Sequence, residues 1–181
     1  MRIWKEAGFE AKSNKATQSL LKQHANWIKI TNVREKVTAK IKHVLRIDMN
    51  SNGKGFKGCH SKIALDDYTK NNPTARYELK NKVMDSSGNG VYEAEPIIKL
   101  ENGTELRKTN NRGKSTFFPD DWDEARILEE VEHAINNNHG KFNLNKPNSN
   151  EYFGLSRDGK IEIHFFYNQD GTIGSYYPIK N

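Results

Sequence analysis

In the stretch KGFKGCHSK, residues 54 to 62, a glycine-lined run delivers Cys59 and His60 side by side. Histidine is the side chain whose proton moves most readily near neutral pH, so paired imidazoles make natural acid and base partners. The chain has six histidines. His43 stands 17 positions before His60, and the glycine-rich loop DMNSNGKGFKGCHS between them can fold back to bring both rings to one site. The other four read differently. His24 sits in an apolar helical stripe, His133 lies among glutamates, and His139 falls at a helix end where it complements the dipole. His164 alternates away from the apolar face of its strand beside Glu162, the pattern of a surface ion pair.

Cys59 has two readings, a nucleophile or a small buried side chain. The second is preferred, because only a nearby histidine and lysine argue for a thiolate. A zinc site from His43, His60 and Cys59 stays open, although adjacent residues chelate one metal poorly. Lys108, at a strand end before the basic loop holding Arg112 and Lys114, is a cation suited to a phosphorane-like charge, or a solvated lysine. In GSYYP, Tyr176 and Tyr177 point to opposite faces of a terminal strand, so one belongs to the core and the other can stack on a base.

These side chains need a frame. NKATQSLLKQHANWIKI has helical spacing, with Leu20, Leu21, His24, Trp27 and Ile28 recurring on one side. IKHVLRI reads as a short strand or helix end presenting His43. TARYELKNKVMD and GVYEAEPIIKL read as strands flanking the turn SSGNG, and ENGTELRKT as a hairpin return through Asn102-Gly103. The clearest element is a helix over residues 121–138, capped by Asp120 or Asp121, with Trp122, Ala125, Leu128, Val131 and Ile135 as its apolar stripe and Gly140 beyond its end. YFGLSR, KIEIHFFYN and TIGSYYPIK close the chain as strands, with Ile161, Ile163, Phe165 and Tyr167 on one face. Helices, strands, a helix and a meander give an α+β architecture.

At 181 residues the chain suits one well-buried domain with a small appended segment. With 29 basic and 23 acidic residues its formal charge is +6, which suits a polyanionic partner without singling one out. No apolar run reaches the ~20 residues a membrane-spanning helix needs. One cysteine excludes an internal disulfide and any multi-cysteine zinc site. The first residues lack the apolar core of a signal peptide, so the expectation is a cytosolic protein or a piece of something exported by other signals.

Taken together, KHVLRID, GFKGCHS, GVYEAEPIIKL, STFFPDDWDEARILEEVEHA and the closing DGTIGSYYP resemble, in order, the bacterial EndoU family of endoribonucleases, over about residues 41 to 179. The closing Ser-x-Tyr-Pro after an Asp-Gly turn carries most of the likeness, and it is shared with the related coronaviral uridylate-specific endoribonuclease. The resemblance implies an antiparallel-sheet EndoU/RNase A-like core at 41–181, with 1–40 a helical linker or entry segment. It assigns His60 as general base toward a ribose 2′-OH and His43 as general acid toward the departing 5′-oxygen. Lys108, with Lys114 as its rival, stabilises the phosphate charge, and Ser175 and Tyr177 position a uridine. Cys59 departs from the glycine or other small residue of many relatives.

No cofactor and no metal are implied, and the products carry 2′,3′-cyclic phosphate and 5′-OH ends. Family context further implies a toxin module at the C-terminus of a larger secreted protein of contact-dependent inhibition type. Such a module is delivered to a target cytoplasm, cuts RNA such as a tRNA, and is neutralised by an immunity protein. It would be a monomer or a toxin–immunity heterodimer that does not engage the membrane. Two rival readings stand beside this one: a metal-dependent nuclease using His43, His60 and Asp48, and a non-catalytic RNA-binding module.

Overall fold

The computed structural model describes residues 26–181, so the helix expected around Leu20 to His24 lies outside the described residues. From residue 33 the chain runs α1 (Val33–Thr38), α2 (Ile41–Val44), β1 (Ile47–Met49), β2 (Gly55–Gly58) and α3 (Lys62–Asn71). It continues through β3 (Arg76–Met84), β4 (Tyr92–Lys99), β5 (Glu105–Lys108), β6 (Ser115–Phe117) and α4 (Glu124–Asn136). A meander of β7 (Glu151–Leu155), β8 (Glu162–Tyr167) and β9 (Ile173–Pro178) closes it. The architecture is α+β, as the order of patterns indicated.

Two sheets organise the described residues. The larger has the order β1-β2-β5-β4-β3, with β6 also paired to β4, and the smaller is β7-β8-β9. Neighbours are antiparallel except β2 and β5, which run parallel. Each sheet has its own apolar cluster. Ile163, Phe165 and Tyr176 of the small sheet pack on Val37 of α1 and on Ile127, Val131 and Ile135 of α4. Phe56, Tyr92, Ile98, Leu106 and Phe117 of the large sheet pack on Ala64 and Leu65 of α3. Burying such side chains contributes roughly 1.5–3 kcal/mol each relative to leaving them exposed. Residues before 40 take part: Ile30, Val33 and Val37 belong to the first cluster, and the Tyr176 hydroxyl donates to the Val37 carbonyl at 3.0 Å.

The long helix differs from expectation at its start. Asp123 is the N-cap, its carboxylate accepting from Arg126 N at 2.7 Å. Asp120 instead accepts from the Tyr92 hydroxyl at 2.6 Å, and Asp121 lies within the turn in which Trp122 N donates to the Pro119 carbonyl. Trp122 is buried, but before the helix rather than on it. α3, in SKIALDDYTKN, has no counterpart in the sequence reading. β3 is the free edge of the large sheet and mostly exposed. A bulge interrupts its pairing between Lys80 and Val83, where Asn81 takes a left-handed φ of 53°.

Candidate active site

Main-chain contact brings the two candidate histidines together. Gly58 ends β2 with φ +73°, and a Cβ built there would lie 1.5 Å from the His43 carbonyl oxygen. Only a residue without a side chain lets these backbones approach so closely. Cys59 follows at φ 63°, so two consecutive left-handed residues turn the chain sharply. The turn delivers His60 N to the Val44 carbonyl at 2.8 Å, one residue past His43. Phe118 N then donates to the His60 carbonyl at 2.9 Å and anchors the other side. The glycine-rich loop thus folds back as the spacing suggested.

Each ring is oriented by its Nδ1. His43 Nδ1 donates to the Asp48 carboxylate on β1 at 2.9 Å. His60 Nδ1 donates to the Thr116 carbonyl on β6 at 2.9 Å, which leaves Nε2 as the unprotonated nitrogen of a neutral ring. Burial, then the Lys108 charge, push His60 down to about 3, so the imidazole is neutral at physiological pH. Asp48, weighed as a metal ligand, is committed to His43. Among the described residues, no group of three or more His, Cys, Asp or Glu side chains could hold a metal ion.

Lys108 reaches the same place through sheet register. It ends β5, whose parallel pairing sets Phe56 beside Lys108 and so places the lysine next to the strand leading into Gly58. The residue is 6% exposed, and its ammonium donates to Ser115 Oγ at 3.2 Å. Ser115 Oγ donates to the Cys59 carbonyl at 2.6 Å and lies 3.2 Å from His60 Nδ1, which makes it the buried hub joining lysine, turn and histidine. Burial lowers the Lys108 ammonium from its ordinary 10.5 to about 8. Lys114 instead extends to Glu93 at 3.5 Å with much of its side chain exposed. Cys59 is fully buried and burial pushes its thiol up to about 12, so it is a small core side chain with no thiolate at neutral pH.

The small sheet supplies the opposite wall. The Tyr177 ring stacks on His60 at 5.5 Å and 29°, and its hydroxyl donates to Glu151. Burial, and then that carboxylate, raise the phenol further, so it stays protonated. Tyr176, on the other face, is core. His43, His60, Lys108, Ser175 and Tyr177 all line one cleft of about 400 Å3, together with Gly58, Asn110, Asn111, Thr116 and Phe166. These five side chains share one cleft, whereas Lys114, Cys59 and Asp48 do not line it.

Sequence reasoning passed over Ser115, Thr116, Phe166, Asn110, Asn111 and Glu151. Phe166 reaches the cleft at a register shift between Phe165 and Tyr167, a feature with no signature in the alternating pattern. His164 also differs from expectation. It pairs with Glu162 at 2.7 Å as anticipated, but it is 2% exposed and also meets Glu151 at 3.1 Å. Phe142 and Phe153 cover it, so the pair is buried rather than superficial.

Comparisons with known proteins bear on the chain's family. A relative from Bacillus cereus named "Toxin" is 30% identical over 138 residues, which cover 76% of this chain but only 22% of the relative. No solved structure matches the chain. A family model described as bacterial EndoU nuclease matches residues 38–180, an interval that holds every residue of the cleft. The chain belongs to the bacterial EndoU nuclease family.

Proposed function

We propose that this chain is a metal-independent endoribonuclease toxin that cuts RNA by attack of a ribose 2′-oxygen on the adjacent phosphate. The observation that carries the reading is the convergence of two differently oriented imidazoles and a buried ammonium on one cleft. His60 Nε2 takes the proton of the 2′-OH as the 2′-oxygen bonds to phosphorus. The bond from phosphorus to the 5′-oxygen breaks, and His43 gives that oxygen a proton. Lys108 stabilises the charge on the non-bridging oxygens. The approach of an anionic phosphate raises His60 from its low value, strengthening the base when substrate is present. Ser175 and Tyr177 position the nucleotide bearing the 2′-OH, with uridine the expected base. DNA, which lacks the nucleophile, is spared.

A relative named "Toxin" that is several times longer supports a role as a toxin module within a larger protein. On that reading residues 1–40 lead into the nuclease domain as an entry segment, with Ile30, Val33 and Val37 at its end packed into the core. The target is RNA, tRNA among the candidates, in a recipient cytoplasm, and a cognate immunity protein covers the basic cleft, giving a heterodimer before delivery.

The test is incubation of the protein with total RNA in excess EDTA, followed by mapping of the ends. Uridine-biased cuts with 2′,3′-cyclic phosphate and 5′-OH ends are expected. Loss of cutting in EDTA, or 5′-phosphate ends, would favour a metal-dependent nuclease instead.

Lys108 gives a separate prediction. Between pH 8 and 10.5 the native lysine holds fewer protons than the unfolded one, so stability rises with pH across that window. At pH 7 the buried charge therefore costs roughly 3 kcal/mol. Lys108→Met is expected to raise the urea midpoint at pH 7 while lowering cleavage about a hundredfold. In the wild type kcat/KM should fall above pH ~8, as the ammonium is lost. A destabilised Met variant would contradict the burial argument.

A further inference from the structure

A second depression, of about 610 Å3, is tied to the cleft through the bond between His43 and Asp48. Asp48 lines it and binds His43, and Thr109 lines it between Lys108 and Asn110 of the cleft. We infer that this depression is a subsite for the ribonucleotide on the leaving-oxygen side of the cut, with Lys57 binding the phosphate that follows it and Met49 lying under its base. The inference rests on the proposed role of His43 toward the departing 5′-oxygen.

The depression has a built wall. Asn50 N donates to the Gly55 carbonyl at 2.8 Å, and the Asn50 side chain donates to Thr109 Oγ1 at 3.1 Å, clipping the β1–β2 turn to the end of β5. A Cβ on Gly55 would lie 2.5 Å from Thr109 Cγ2 and 2.9 Å from the Arg107 carbonyl, so only glycine lets this wall close. Lys57 is the exposed residue of β2, whose other members are buried. Asp48 lies directly across from it in the β1–β2 pairing but gives its carboxylate to His43, leaving the ammonium to face an external anion. Met49 is 36% exposed, an apolar surface on which a base can rest. The amide and hydroxyl groups of Asn50, Ser51, Asn52 and Thr109 offer donors and acceptors together, so the site reads base identity weakly.

The test uses RNA carrying a single 2′-deoxyuridine at the cleavage position, which removes the nucleophile and makes binding measurable without cutting. Three nucleotides added on the 3′ side should tighten binding about tenfold, and the same three on the 5′ side much less. Lys57→Ala should abolish the 3′ gain and lower the slope of log Kd against log salt by about one. Lys70→Ala, outside the depression, should keep the gain. Equal gains from both extensions, or a 3′ gain that survives Lys57→Ala, would overturn the subsite. Cleavage of the all-ribo parent is scored separately. A protein that prefers the 3′ extension yet cuts nothing keeps the nucleotide site and loses the nuclease reading. One that cuts without that preference loses the subsite alone.

Discussion

His60→Asn is expected to lower RNA cleavage by about a hundredfold to ten-thousandfold while making the protein more tolerant of acid. The asparagine amide nitrogen takes the place of Nδ1 and can keep the donation to the Thr116 carbonyl, so the turn stays anchored. What disappears is Nε2, the nitrogen proposed to take the 2′-OH proton. The stability effect follows from proton counting. The native ring holds its proton only below about 3, whereas an unfolded histidine takes one up near 6.5. Between those values the unfolded chain binds more protons, so wild-type stability falls as pH drops through that window. At pH 4 the loss amounts to roughly 3 kcal/mol, and the asparagine variant lacks it. Single-turnover cleavage and urea melts at pH 7 and pH 4 measure both effects. An active variant would remove His60 as base, and an unchanged acid slope would mean the ring is less buried than described.

Gly58→Ala should be the most damaging single methyl group in the domain. Its Cβ would sit 1.5 Å from the His43 carbonyl oxygen and 2.7 Å from its carbonyl carbon, both main-chain atoms with nowhere to go. The residue also has φ +73°, which alone costs an alanine about 1–2 kcal/mol. Gly53 provides the internal control: it has φ +66° and nothing within 4 Å of its built Cβ. Gly53→Ala should therefore lose about 1 kcal/mol with cleavage intact. Gly58→Ala should lose at least about 4 kcal/mol and its cleavage, because the link from His60 N to the Val44 carbonyl cannot form. Equal effects from the two substitutions would show that the His43–Gly58 approach is looser than it stands here.

Much of this site could be read before any coordinates, for identifiable reasons. His43, His60, Lys108, Ser175 and Tyr177 carry functional groups in recognisable segments, and the family likeness ordered them. The family likeness left Lys108 and Lys114 as rivals, since what separates their positions is sheet register: parallel pairing turns one inward, and Glu93 draws the other out. Ser115 was illegible because its partners, Cys59 and His60, lie more than fifty positions away. α3 escaped notice because its buried residues, Ala64 and Leu65, are adjacent and form no repeating stripe. His164 was misjudged because alternation reports which face of a strand is apolar, not whether aromatic rings from a distant loop will roof the other.

The kink at Asn81 interrupts an exposed strand edge. β3 leaves one side unpaired along nine residues, and Val83 and Met84 lie about half exposed at its far end. A straight ribbon of that length would be an invitation to strand exchange between molecules. The left-handed step at Asn81 breaks that invitation into two pieces too short to template a neighbour. Deleting Asn81 would restore an uninterrupted ribbon, and light scattering should then record larger assemblies and fibrils than the wild type forms.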